Sequence, residues 1–99
     1  MTSEQRGALG AFIAAPKFAP SDDYVGFLSE DVLADPETVV DGLAAALLAG
    51  HVDPTRDFQV YADKVLDLFE EADTEDRERT YDVVVRLGAT VGINLASDV

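Results

Sequence analysis

The 99-residue sequence contains no cysteine and no tryptophan, and its single histidine is His51. The absence of cysteine excludes disulfide bonds and thiolate chemistry. A structural zinc site takes several cysteine or histidine ligands, so one histidine without cysteine argues against zinc. His51 follows Gly50 at a predicted helix C-terminus, where we interpret it as a loop or capping residue and not as a catalytic one. We therefore expect no metal, no cofactor and no enzyme activity.

Basic residues are also scarce. Lys and Arg number 7 against 20 Asp and Glu, which gives a formal net charge of −13. Nucleic acids and anionic membranes are bound through clusters of Lys and Arg, so direct binding to either is disfavoured. The N-terminal residues do not resemble a signal peptide, and the small-residue stretch 7–15 is too short to span a membrane. The sequence predicts a cytoplasmic protein.

The negative charge itself needs an explanation. A sphere of about 15 Å radius with this charge stores about 8 kcal/mol of self-repulsion at physiological salt. That is comparable with the total stability of a small domain, about 5–15 kcal/mol. The charge serves solubility, a high-salt cytosol or the attraction of a basic partner. Thirteen Asp against seven Glu, with 26 Ala and Val, is a halophilic-like composition, and the three explanations stay open at this point.

The composition of the chain and its helix start and stop signals predict an all-α fold. A 10.6 kDa chain with 47% hydrophobic residues is large enough for one core and too small for two domains. Asp35-Pro36 and Asp53-Pro54 are helix start signals, and Gly50 suits a helix end. We predict a single compact domain, residues 1–99, of four to five short helices over 3–15, 21–33, 36–49, 54–72 and 75–95.

The helix predicted over 36–49 is apolar nearly all round, apart from Glu37 and Asp41. A helix of this kind is usually buried, so we expect it at the centre of the fold, with the other helices packed around it. The two helices after it have amphipathic stripes. The stripe of the last helix begins at Tyr81 and leaves Val83 on the solvent side, and the stripe before it leaves Val60 there.

Carboxylates are densest between residues 63 and 78. Six of them are the candidate partner-binding residues, which we call the acidic ridge: Asp63, Asp67, Glu70, Glu71, Asp73 and Glu75. Helical spacing places the first four opposite the apolar stripe of their helix, towards water. A metal site between helices requires carboxylates that converge inwards, so this pattern argues against a metal-dependent phosphohydrolase.

These observations predict a non-catalytic, acidic, helical protein-interaction module of the adaptor, inhibitor or nucleic-acid-mimic type. Its partner is expected to be a protein with a basic surface, bound through the acidic ridge. The first alternative is a helical subunit of a homo-oligomer or larger assembly, whose acidity reflects a high-salt cytosol. The second alternative is a metal-dependent phosphohydrolase, which requires inward-facing carboxylates that the periodicity of this sequence does not supply.

Overall fold

A computed structural model describes residues 1–20, 24, 26 and 35–93 of the chain. These residues form four α-helices and no strand: α1 Ser3–Ala14, α2 Pro36–Ala49, α3 Phe58–Leu68 and α4 Thr74–Thr90. The prediction of an all-α fold is confirmed. The helix predicted over 21–33 lies outside the described residues except for Tyr24 and Gly26, as do positions 94–95 of the last predicted helix. None of the described helices has both the length and the apolar character to cross a membrane.

The boundaries of α2 follow from local sequence signals. The Asp35 carboxylate accepts a hydrogen bond from the Glu37 backbone N–H at 3.2 Å, and Pro36 occupies the first helical position. At the other end Gly50 adopts a φ of 81°, a left-handed conformation that glycine enters without steric cost. The backbone N–H of His51 then donates to the carbonyl of Ala46 at 2.9 Å, which completes the C-terminal cap.

Helix α3 is shorter than the predicted range of 54–72. Asp53 does accept hydrogen bonds from the backbone N–H groups of Thr55 and Arg56, at 2.9 and 2.8 Å. Residues 54–57 form only a turn, however, and the regular helix begins at Phe58. After Leu68 the backbone continues in tighter i→i+3 turns, with the N–H of Phe69 donating to the carbonyl of Leu66 at 3.1 Å.

The core lies among all four helices, and α2 and α4 each contact the other three. The prediction that α2 is buried all round is not confirmed, because Gly42, Ala45 and Ala49 are exposed. Alanine favours a helix through its backbone propensity, so an alanine-rich face needs no covering. The largest fully buried side chains are these: Phe58, Phe69, Leu9, Leu47, Leu87, Val40, Val83, Val84 and Thr80.

The buried face of α4 differs from the predicted stripe. Val83 is fully buried and Tyr81 is 42% exposed, so the prediction that Val83 faces solvent is wrong, while Val60 is exposed as predicted. The buried face combines Val83, Val84 and Leu87 with Thr80, whose hydroxyl donates to the Asp76 carbonyl at 2.8 Å and needs no water. Thr80 therefore occupies the core, and Tyr81 keeps its polar end at the surface.

Candidate functional site

The acidic ridge follows the end of α3, the connection and the start of α4, and all six of its residues are exposed. Asp63 and Asp67 lie on α3, Glu70 and Glu71 lie in the turn after it, and Asp73 and Glu75 begin α4. The solvent exposure that the periodicity predicted for Asp63, Asp67, Glu70 and Glu71 is therefore found, although Glu70 and Glu71 lie beyond the end of α3. Such a surface is able to bind cationic groups.

The helix dipoles favour one part of the acidic ridge and disfavour another part. Glu75 is in the first turn of α4, next to the positive end of that helix. Asp67, Glu70 and Glu71 instead lie at the C-terminal end of α3, where the helix dipole is itself negative. Each such charge costs about 0.3–1 kcal/mol at low ionic strength. These three carboxylates make no hydrogen bond or ion pair with the part of the chain that the structure describes.

An open groove of about 330 Å³ runs between the C-terminal half of α3 and α4, and we call it the α3–α4 groove. Its floor contains the buried residues Phe69 and Thr80. Its lining consists of Leu66, Asp67, Phe69, Glu70, Arg77, Thr80 and Tyr81. Because Asp67 and Glu70 belong to both features, the acidic ridge borders directly on a hollow whose accessible apolar surface comes from Leu66 and Tyr81.

Carboxylates do not converge into an enclosed cluster. Over residues 1–20, 24, 26 and 35–93, no group of three carboxylate or histidine side chains is placed to hold a metal ion together. The exposed His51 contributes its backbone to the α2 cap, as described above, and lies beside Arg6 and Arg56 in a separate hollow at that end of α2.

Asp76 belongs to the acidic stretch of the sequence, but its side chain is buried. It accepts a hydrogen bond of 2.7 Å from the hydroxyl of Tyr24, and the Arg79 guanidinium lies 4.3 Å from the centre of the Tyr24 ring. Burial, and after it the hydrogen bond to Asp76, raises the pKa of Tyr24. The phenol therefore stays protonated and serves as a donor that links Tyr24 to α4. Sequence reasoning missed this pair. The available signal was the spacing of Asp76 and Thr80, which are four residues apart and therefore share the buried face of α4.

A second buried polar cluster, the Lys17 cluster, joins the end of α1 to the start of α2. The ammonium nitrogen of Lys17 lies 2.8 Å from a carboxylate oxygen of Glu37 and 2.8 Å from one of Asp41. It also donates to the carbonyls of Phe12 and Ala15, each at 2.6 Å. A cation at the carbonyl end of α1 and an anion at the amide end of α2 both suit the helix dipoles.

Glu37 also receives backbone hydrogen bonds in the Lys17 cluster, from the N–H of Lys17 at 2.8 Å and of Phe18 at 3.4 Å. Burial acts to raise the pKa of Glu37, but the hydrogen bonds and charge of Lys17 outweigh it and lower that pKa. Glu37 is therefore ionised at neutral pH. Sequence reasoning missed the cluster, although two carboxylates four residues apart on an otherwise apolar helix signalled a missing cation.

The described sites therefore fall into two classes. The Lys17 cluster and the Tyr24–Asp76 pair are buried and hold segments of the fold together. The acidic ridge and the α3–α4 groove are open to other molecules. No protein-family model, curated protein or solved structure matches this chain. Its function has to be inferred from its own residues.

Proposed function

We propose that this protein is a non-catalytic interaction module that binds a basic surface of a partner protein through the acidic ridge. The observation that carries the proposal is the position of Asp67, Glu70 and Glu71 at the negative end of α3. These charges act against the dipole of α3, and no basic side chain among the described residues lies within salt-bridge distance of them. Lys or Arg side chains of a bound partner neutralise these carboxylates and so relieve their repulsion by the negative end of α3. The free energy gained in this way contributes to the binding affinity.

The net charge supports the same proposal through kinetics. A protein with a charge of −13 attracts a basic partner over about one Debye length, roughly 8 Å at physiological salt, which raises the association rate. Surfaces that bind nucleic acid are rich in Lys and Arg. A protein with such a surface is therefore a suitable partner, and the chain acts as an adaptor, an inhibitor or a mimic of nucleic acid.

The double substitution Asp67→Lys and Glu70→Lys tests the proposal. Random peptides of about 12 residues, displayed on phage and selected on the wild-type chain, are expected to be rich in Lys and Arg. Their affinity for the double variant is expected to fall at least about tenfold, with a weaker dependence on salt, because the counter-charges are gone. Its stability is expected to rise by about 1–2 kcal/mol, because Lys suits the C-terminal end of a helix.

A matched control separates the acidic ridge from net charge. Glu4, Ala45 and Ala49 are exposed residues of α1 and α2. Replacing all three with Lys changes the net charge by the same four units, and this variant is expected to keep its peptide affinity within about twofold. An equal loss in both variants, or a selection that yields no basic peptides, would show that the acidic ridge is not a binding site.

A second candidate function is that of a subunit in a homo-oligomer or larger assembly. It is favoured by exposed apolar side chains on α3, since Val60 and Leu68 are 52% and 55% exposed and Tyr61 is 40% exposed. Association through these residues rests on apolar contact and therefore survives high salt. Under this proposal the acidity reflects a salty solvent and not a partner.

A further inference from the structure

We infer that the α3–α4 groove receives one apolar side chain of the basic partner, which places Lys or Arg on either side of that anchor. The inference rests on the proposed function and gives the partner a more specific chemistry. Charge alone selects any cationic surface, whereas an apolar anchor beside cations selects a particular short segment.

The shape and lining of the groove support an apolar anchor. Phe69 and Thr80 in its floor are 1% and 0% exposed and offer almost no free surface. The accessible apolar surface of the groove therefore comes from Leu66, which is half-buried, and from the Tyr81 side chain, which is 42% exposed. A tyrosine ring at the surface covers an apolar neighbour while its hydroxyl stays in water. Tyrosines in such positions often account for a large share of the affinity of a protein interface.

Charge complementarity identifies the occupant. The backbone N–H of Glu70 donates to the carbonyl of Asp67 at 3.3 Å, so the two residues lie one tight turn apart at the end of α3, and both line the groove. Cations that flank an anchor in the groove therefore meet both carboxylates. Arg77 on the α4 side of the groove repels cations, so the partner's basic residues lie over α3.

Other occupants fit less well. A second copy of this chain carries the same charge of −13 and is repelled by the ridge. Nucleic acid is repelled for the same reason. The occupant is therefore a basic protein segment with one aromatic or branched apolar residue between its cations.

The substitution Tyr81→Ala, compared with Tyr61→Ala, tests this inference. Both tyrosines are about equally exposed on their helices, at 42% and 40%, but only Tyr81 lines the groove. The probe is the tightest basic peptide from the phage selection, measured by fluorescence anisotropy. Its affinity for the Tyr81→Ala variant is expected to fall at least about tenfold, and its affinity for the Tyr61→Ala variant to change less than about twofold. Replacing the anchor residue of the peptide by Ser is expected to give a similar loss on the wild-type chain.

Amide chemical shifts locate the anchor independently of the variants. Titration with the same peptide is expected to shift the amides of Phe69 and Thr80 strongly, and this response is expected to be lost with the Ser-substituted peptide. If the peptide depends on Asp67 and Glu70 but neither on Tyr81 nor on any apolar residue of its own, the anchor is absent and only the ridge binds. A peptide that depends on none of these residues overturns the proposed function as well.

Discussion

Replacing Val83 with Asp is expected to unfold most of the protein, whereas the same substitution at Val60 is expected to change stability by less than about 0.5 kcal/mol. Val83 is fully buried between α4 and its neighbours, and Val60 is 52% exposed on α3. A carboxylate in the core has neither water nor a cation, and burying an unpaired charge costs several kcal/mol. That cost approaches the total stability of a small domain, about 5–15 kcal/mol.

Urea unfolding followed by circular dichroism at 222 nm measures both variants on one scale. The sequence pattern alone places both valines on solvent faces, so this pair distinguishes the structure from that pattern. If the Val83→Asp variant is as stable as the Val60→Asp variant, then α4 packs on the core through the predicted stripe that contains Tyr81. In that case the α3–α4 groove is not where the structure places it.

The substitution Lys17→Met is expected to lower the free energy of unfolding by about 3 kcal/mol. Methionine keeps the apolar stem of the side chain but removes the ammonium group from Glu37, Asp41 and two backbone carbonyls. Both carboxylates then lose their cation. Their side chains are 30% and 24% exposed, so water reaches them in part, and the cost lies at the lower end of that for breaking a buried ion pair.

The matched control is the only other lysine, Lys64, which is exposed on α3. Lys64→Met is expected to change stability by less than about 0.5 kcal/mol, because surface charges contribute little. Urea titrations of the two variants under the same conditions measure both free energies of unfolding. A Lys17→Met variant as stable as Lys64→Met would mean that the Lys17 cluster does not hold α1 to α2.

Local signals explain which helix boundaries were predictable. Asp35, Pro36 and Gly50 act within one turn of their own positions, and α2 begins and ends where they indicate. Asp53-Pro54 gives the same signal, but only a turn forms there. The Lys17 cluster was not predictable in this way, because Lys17 and Glu37 are 20 residues apart and meet only after α1 and α2 have packed.

The candidate site was likewise predictable only where it depends on local sequence and not where it depends on helix packing. The exposure of Asp63 and Asp67 followed from helical spacing within α3, and Glu70 is exposed in the turn after that helix. The α3–α4 groove did not, because it depends on which face α4 turns towards α3. That rotation buries Thr80, a polar residue that an apolar pattern leaves out and whose hydroxyl is satisfied by its own helix.

We propose that the negative charge serves a partner and not the solvent. The thermal midpoint measured in KCl from about 10 mM to several molar tests it most directly. We expect cooperative unfolding from a folded state already in dilute buffer, with a moderate rise in midpoint as salt screens the self-repulsion. A chain that is unfolded in dilute buffer and gains cooperative structure only in molar KCl would contradict the claim and assign the acidity to a salty environment.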